Sequence, residues 1–263
     1  MGLFNNIRKL HQNAIIFIYP IVYDLLALSL GLYLMGFNGQ TMFSSKLILE
    51  MGFPSVSHIS NIPLLANQVY FFNGPVDITV FTGIVVVSLI VIGAFLQGGY
   101  IHSLYAIGKN GKYSSVEFVK YGKKNWLQFI LLGVIMYFLK ISLTAFLVIF
   151  FSTIGGFVAL IALLVLRIVF IYLEFTIVLD KLPIPEALKK SRHYFAKSFL
   201  PTSITVVIMY IISLSLSIIL HKIWSPIFVI VMILFYAYIM TLIQMVFMTI
   251  LSRARKEKNN SLA

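Results

Sequence analysis

Six long apolar runs alternate with short polar connections along the chain, and this alternation predicts an all-α integral membrane bundle of six transmembrane helices. The runs cover about 14–36, 76–105, 126–151, 154–179, 198–220 and 226–251. Each exceeds the roughly 18 apolar residues that mark a helix able to cross a bilayer. The first, IIFIYPIVYDLLALSLGLYLMG, holds Pro20, an expected kink, and Asp24 near its middle. Pro75 suits the start of the second helix and Asp77 its first turn. Ser152 to Gly156 predict a tight turn between the third and fourth runs, and Ser225-Pro226 read as N-cap and first helical position of the sixth. Residues 1–263 form one polytopic domain in this reading.

The segments between the runs have patterns of their own. In LFNNIRKLHQN, residues 3–13, Leu3, Phe4, Ile7 and Leu10 share a helical face, which predicts a short helix lying on the membrane. Residues 37–75 mix turn formers with apolar stretches such as KLILEMGF and IPLLANQVYFF, so interfacial or partly re-entrant pieces are expected rather than a solvated loop. Residues 106–125 and 180–197 are basic connections with apolar stripes, expected as cytoplasmic amphipathic surface helices. The tail SRARKEKNNSLA is polar and expected to fray.

Charge orients this arrangement. With six spans, Arg8, Lys9, both basic connections and the tail fall on one side, which then holds sixteen Lys and Arg against Lys46 and Lys222 on the other. That bias places both termini in the cytoplasm, and the composition suits a bacterial cytoplasmic membrane. The net charge of +12 is concentrated beside apolar runs, so anionic lipid rather than nucleic acid is the expected partner, alongside a protein partner or a second copy. Lys120, Lys123, Lys124, Lys189, Lys190, Arg192 and Lys197 are the expected headgroup contacts. The competing reading is that these bases serve only to fix topology.

The basic connections resemble each other. At a shift of 69 residues, Phe118, Val119, Gly122 and Trp126 align with Ala187, Leu188, Ser191 and Phe195, which raises an internal duplication of "span, surface helix, span". GGYIHSLYAIGKNGKYSSVEF and PIPEALKKSRHYF followed by a span, within about residues 97–217, resemble bacterial multi-pass proteins related to the membrane domain of some glycerophosphodiester phosphodiesterases. The resemblance implies a scaffold or lipid-associated role. The soluble phosphodiesterase domain of those enzymes has no counterpart here, so their activity does not carry over.

Four ionisable residues fall within the apolar runs: Asp24, Lys140, Arg167 and Glu174. A charge at a helix centre costs roughly 2.5–3.5 kcal/mol on the insertion scale, so such residues pair or serve a function. Two acids balance two bases, and Asp24 is expected to pair with Arg167 or Lys140. Arg167 and Glu174 lie on one face, about 10 Å apart along a continuous helix. Gln97, Gln128 and Gln244 are expected as interhelical hydrogen-bond glue, and Gly98-Gly99 as a close-packing point or, equally, a helix break near a cavity. The chain has no cysteine, five scattered histidines, and no HExxH, GxSxG or P-loop pattern, so no catalytic residue, metal site or cofactor is expected. The leading expectation is a non-enzymatic protein engaging anionic lipid, as a scaffold or in envelope homeostasis. The alternative is a carrier built on Asp24, Lys140, Arg167 and Glu174, and a membrane enzyme ranks last.

Overall fold

A computed structural model describes residues 3–35, 51–59 and 80–260. All regular structure among them is helical: α1 (Leu3–Gln12), α2 (Ile15–Met35), a 3₁₀ turn (Val56–His58), α3 (Val80–Asn110), α4 (Ser115–Val169), α5 (Leu173–Asp180), α6 (Ile184–Lys197), α7 (Phe199–Lys222) and α8 (Pro226–Asn260). Five helical stretches, within 15–33, 83–109, 115–180, 199–222 and 226–255, are long and apolar enough to cross a membrane. The fold is therefore all-α, with the architecture of a multi-pass membrane bundle. Many large apolar side chains point outward, as lipid-facing surfaces require.

The stretch 115–180 is not one rod. Ser152 has φ 50° and ψ −134°, outside the helical region. A Cβ on Gly155 would collide with the carbonyl of Leu147, eight residues back, a contact that a straight helix of 1.5 Å rise cannot make. The chain thus folds back on itself at Ser152–Gly155, where the sequence places a turn. Glycine is required at 155 because only a bare Cα lets the two arms approach this closely.

The contact between α3 and α4 also depends on missing side chains. A Cβ on Gly98 would lie 2.8 Å from the Tyr121 carbonyl, and one on Gly99 2.7 Å from the Phe118 carbonyl. Phe118, Gly122, Asn125 and Phe129 are buried on the opposing face. The basic segment 115–125 is accordingly the opening of α4, continuous with the apolar run, rather than a separate surface helix. Nothing between Asn125 and Trp126 breaks the helix, and the packing against α3 holds it straight. The second basic segment does form its own helix, α6, with Ile184, Ala187, Ser191 and Tyr194 buried. Both segments bury positions at i, i+4 and i+7, as any amphipathic helix does.

Two terminal elements differ from expectation. Helix α1 packs on α3 and α8. Its inward face centres on Asn6 and Leu10, whereas Phe4 is 88% exposed. Asn6 Nδ2 donates to Thr249 Oγ1 at 2.8 Å, and Lys9 Nζ donates to the Gly108 carbonyl at 3.2 Å, so polar contacts draw α1 onto the protein. At the other end, α8 continues to Asn260, past the apolar run. Its start matches expectation, since Phe228 N–H donates to Ser225 Oγ at 3.3 Å.

Candidate functional site

The second arm of α4 ends at Val169, and regular helix resumes only at Leu173. Between them the hydrogen bonds tighten: Ile171 N–H donates to Ile168 and Leu173 N–H to Phe170, each three residues back. Arg167 lies in the last turn before this interruption and Glu174 in the first turn after it. A cation at a helix C-terminus and an anion at a helix N-terminus both complement the backbone dipole. The two side chains meet, Arg167 Nη1 lying 2.7 Å from Glu174 Oε1, with side-chain exposures of 15% and 7%. Seven residues on a straight helix would hold them about 10 Å apart. The interruption is what brings them together.

The interruption is also anchored. Ile171, Tyr172, Leu173 and Phe175 are buried. The Tyr172 hydroxyl shares a hydrogen bond with Thr202 Oγ1 at 2.7 Å, and Thr202 shares another with Ser198 Oγ at 3.0 Å, which ties the break to the start of α7. Removing one partner from a buried ion pair typically costs about 3–5 kcal/mol, because the other charge is stranded.

A second departure from regular helix lies against α2. Residues 51–59 are buried throughout, inside the bundle. Asp24 is the anchor of this segment. Its carboxylate accepts from Ser55 Oγ and from Val56 N–H, both at 2.6 Å. Ser55 Oγ also lies 2.8 Å from Ser57 Oγ. The Ile59 carbonyl accepts from Ser217 Oγ at 2.7 Å, and His221 Nδ1 is bonded to the Ser217 carbonyl at 2.7 Å. Phe53 meets Tyr23 and Tyr100 edge to face. Gly52 adopts φ 105° where Gln97 crowds it, a conformation and a space that favour glycine. An irregular backbone within an apolar bundle is stable only when its polar groups find such partners.

The ionisable residues singled out in the sequence therefore separate into distinct settings. Arg167 and Glu174 pair with each other. Asp24 binds the 51–59 segment instead of Arg167 or Lys140. Lys140 is exposed on α4, on the outside of the bundle, and does not join the buried set. Lys120, Lys123, Lys124, Lys189, Arg192 and Lys197 are exposed. Lys190 is partly buried and instead faces Asp180, at 3.1 Å. Asp180 also receives Arg255 Nη2 at 2.7 Å and the Tyr194 hydroxyl at 3.0 Å, a clasp joining α5, α6 and α8. Burial and the neighbouring Asp180 hold the Tyr194 phenol above its ordinary pKa, so it stays a donor. Gln97 Nε2 reaches the Met51 carbonyl at 3.5 Å, a long contact, and Gln244 is buried. Residues Lys46 and Glu50 and the rest of 36–50 and 60–79 lie outside the described residues.

Sequence patterns gave no sign that Ser55 and Ser57 gather at Asp24, or that Ser217, with His221 beside it, reaches the Ile59 carbonyl. His58 and His221 are 163 positions apart in number and follow no motif. Among the described residues, no group of three or more His, Asp or Glu side chains is arranged to hold a metal ion. Comparison of the chain with protein-family models, with curated proteins and with solved structures gives no match.

Proposed function

We propose that this protein is a non-catalytic membrane carrier whose solute site lies at the Arg167–Glu174 interruption. The observation that supports this reading is an ion pair enclosed where a membrane-length helix breaks. Interrupted helices in transport proteins offer charged side chains and helix ends to a solute at one point, and ionisable groups within membranes otherwise carry a high cost. The guanidinium fork of Arg167 suits a carboxylate or phosphate oxygen pair. Glu174 is its resident competitor. Protonation of Glu174 weakens the pair and lets an external anion compete for the Arg167 guanidinium, so uptake of one proton accompanies binding of one anion. In this reading the turn at Ser152 divides 115–180 into two spans, giving six in total, with both termini cytoplasmic. The Asp180 clasp, six residues beyond Glu174, ties the C-terminal end of α5 to α6 and α8.

Thermal unfolding of the detergent-solubilised protein with inorganic phosphate or succinate tests the site. A ligand at a hundred times its Kd adds about 2.7 kcal/mol of stability. The expected result is stabilisation of the wild type, loss of it in Arg167→Lys, and stronger stabilisation in Glu174→Gln, where the competitor is neutral. Absence of any anion effect, or an equal effect in Arg167→Lys, overturns the reading and returns preference to a lipid-engaging scaffold.

A further inference from the structure

A groove on the outer surface between α3 and α4 has the chemistry of a phospholipid site, one that is separate from the carrier reading. It is a shallow, open depression of about 280 Å³, lined by Val91, Ile92, Phe95, Lys123 and Trp126. Four of these five side chains are apolar or aromatic, and the fifth is a lysine at one edge. The volume is close to the roughly 300 Å³ lower bound of small-molecule pockets, enough for part of an acyl chain and not for a whole lipid.

The groove is a built feature. Gly122 sets its depth: a Cβ there would lie 2.8 Å from the Phe95 ring and 2.9 Å from the Phe95 carbonyl, so the bare backbone lets Phe95 seat against α4. Phe95 is also held by Phe118, at 6.4 Å between ring centroids. Because α4 runs unbroken from the basic segment into the apolar run, Lys123 and Trp126 stand where its polar portion gives way to its apolar portion. A tryptophan at such a boundary marks headgroup depth. Lys120 and Lys124 flank Lys123 and are exposed with it. An apolar slot with Lys123 in its lining, and Lys120 and Lys124 within a turn of it on the same helix, matches one occupant: a lipid whose chain fills the slot and whose anionic phosphate faces Lys123.

We infer that the groove between α3 and α4 retains an anionic phospholipid, with its acyl chain along Val91, Ile92 and Phe95 and its headgroup at Lys123. Each lysine beside an anionic surface contributes about fivefold in affinity, so neutralising all three lowers it about a hundredfold.

Trp126 makes the site directly readable. The protein contains two tryptophans, and Trp224→Phe leaves Trp126 as the sole indole emitter. In nanodiscs of phosphatidylcholine, a small fraction of dibrominated phosphatidylglycerol should quench Trp126 more than the same fraction of dibrominated phosphatidylcholine. Lys123→Gln should reduce that preference about fivefold. Equal quenching by the two lipids, or a preference untouched in the Lys120/Lys123/Lys124→Gln protein, overturns the inference. Native mass spectrometry of the protein with both tryptophans intact gives a second readout, independent of how Trp224→Phe folds. Retained phosphatidylglycerol should fall in Ile92→Trp, which fills the slot and leaves every charge in place. Undiminished retention in that variant also overturns the inference.

Discussion

Replacing Asp24 with leucine should release the 51–59 segment while leaving the helices in place. The wild-type carboxylate accepts two short hydrogen bonds, from Ser55 Oγ and Val56 N–H. A hydrogen bond to a charged group contributes about 1.5–3 kcal/mol. The two contributions do not simply add, because Ser55 has another partner in Ser57 Oγ at 2.8 Å and can turn toward it. Val56 N–H has no such recourse in this geometry and is left buried without an acceptor. The expected cost is therefore one bond, about 1.5–3 kcal/mol, and not two. Hydrogen exchange followed by mass spectrometry, on peptides covering 51–59, measures it locally. Exchange there should accelerate about 10- to 150-fold in Asp24→Leu, at about 1.4 kcal/mol per tenfold. Asp24→Asn keeps an acceptor for Val56 and should change it by about tenfold or less. Unaltered exchange in Asp24→Leu, in protein that is otherwise folded, would refute the reasoning and show that packing of Met51, Phe53 and Val56 suffices to hold the segment.

Substitutions at four other places in the fold have outcomes of their own. Ser152→Gly should stabilise the protein by about 1 kcal/mol in denaturant titrations, since it relieves a positive φ, whereas Gly155→Ala should destabilise the α4 turn because the backbone of Leu147 cannot yield. Asp180→Asn should loosen α6 from α8 by about 1–3 kcal/mol, a modest figure because Lys190 and Arg255 keep 29% and 26% of their side chains exposed; protease sensitivity of the 181–183 connection reads it. Tyr194 has a raised pKa in the folded protein, so its contribution is complete below about pH 10 and declines as the pH rises further; Tyr194→Phe should flatten that alkaline loss of stability.

The helical class, the turn at Ser152–Gly156 and the capped start of α8 were legible because each rests on local chemistry: apolar run length, glycine and serine at a reversal, Ser-Pro at a helix start. Gly98-Gly99 were readable as either a close-packing point or a break near a cavity, and only the contact of α3 with Phe118 and Tyr121 on α4 decides for packing. The Arg167–Glu174 relation was legible only as a shared face. The break at 170–172 has no proline or glycine to announce it, and the fastening of Tyr172 to Thr202 is a tertiary contact. The partner of Asp24 was hidden for a similar reason. Residues 51–59 carry neither a helical nor a strand period, and their polar groups are satisfied by residues more than 30 positions away on α2 and about 160 away on α7. The continuity of α4 through Asn125 was obscured by composition, because a basic stretch followed by an apolar one looks like two elements when packing against α3 makes them one.

Proton-coupled anion uptake into proteoliposomes tests the central claim most directly. Vesicles loaded with the pH dye pyranine and held at equal internal and external pH are exposed to an inward succinate gradient. The account predicts internal acidification with the wild type, none with Arg167→Lys, and succinate entry without acidification in Glu174→Gln. Wild-type vesicles that respond no faster than protein-free ones, or a Glu174→Gln protein that acidifies them as the wild type does, would contradict it.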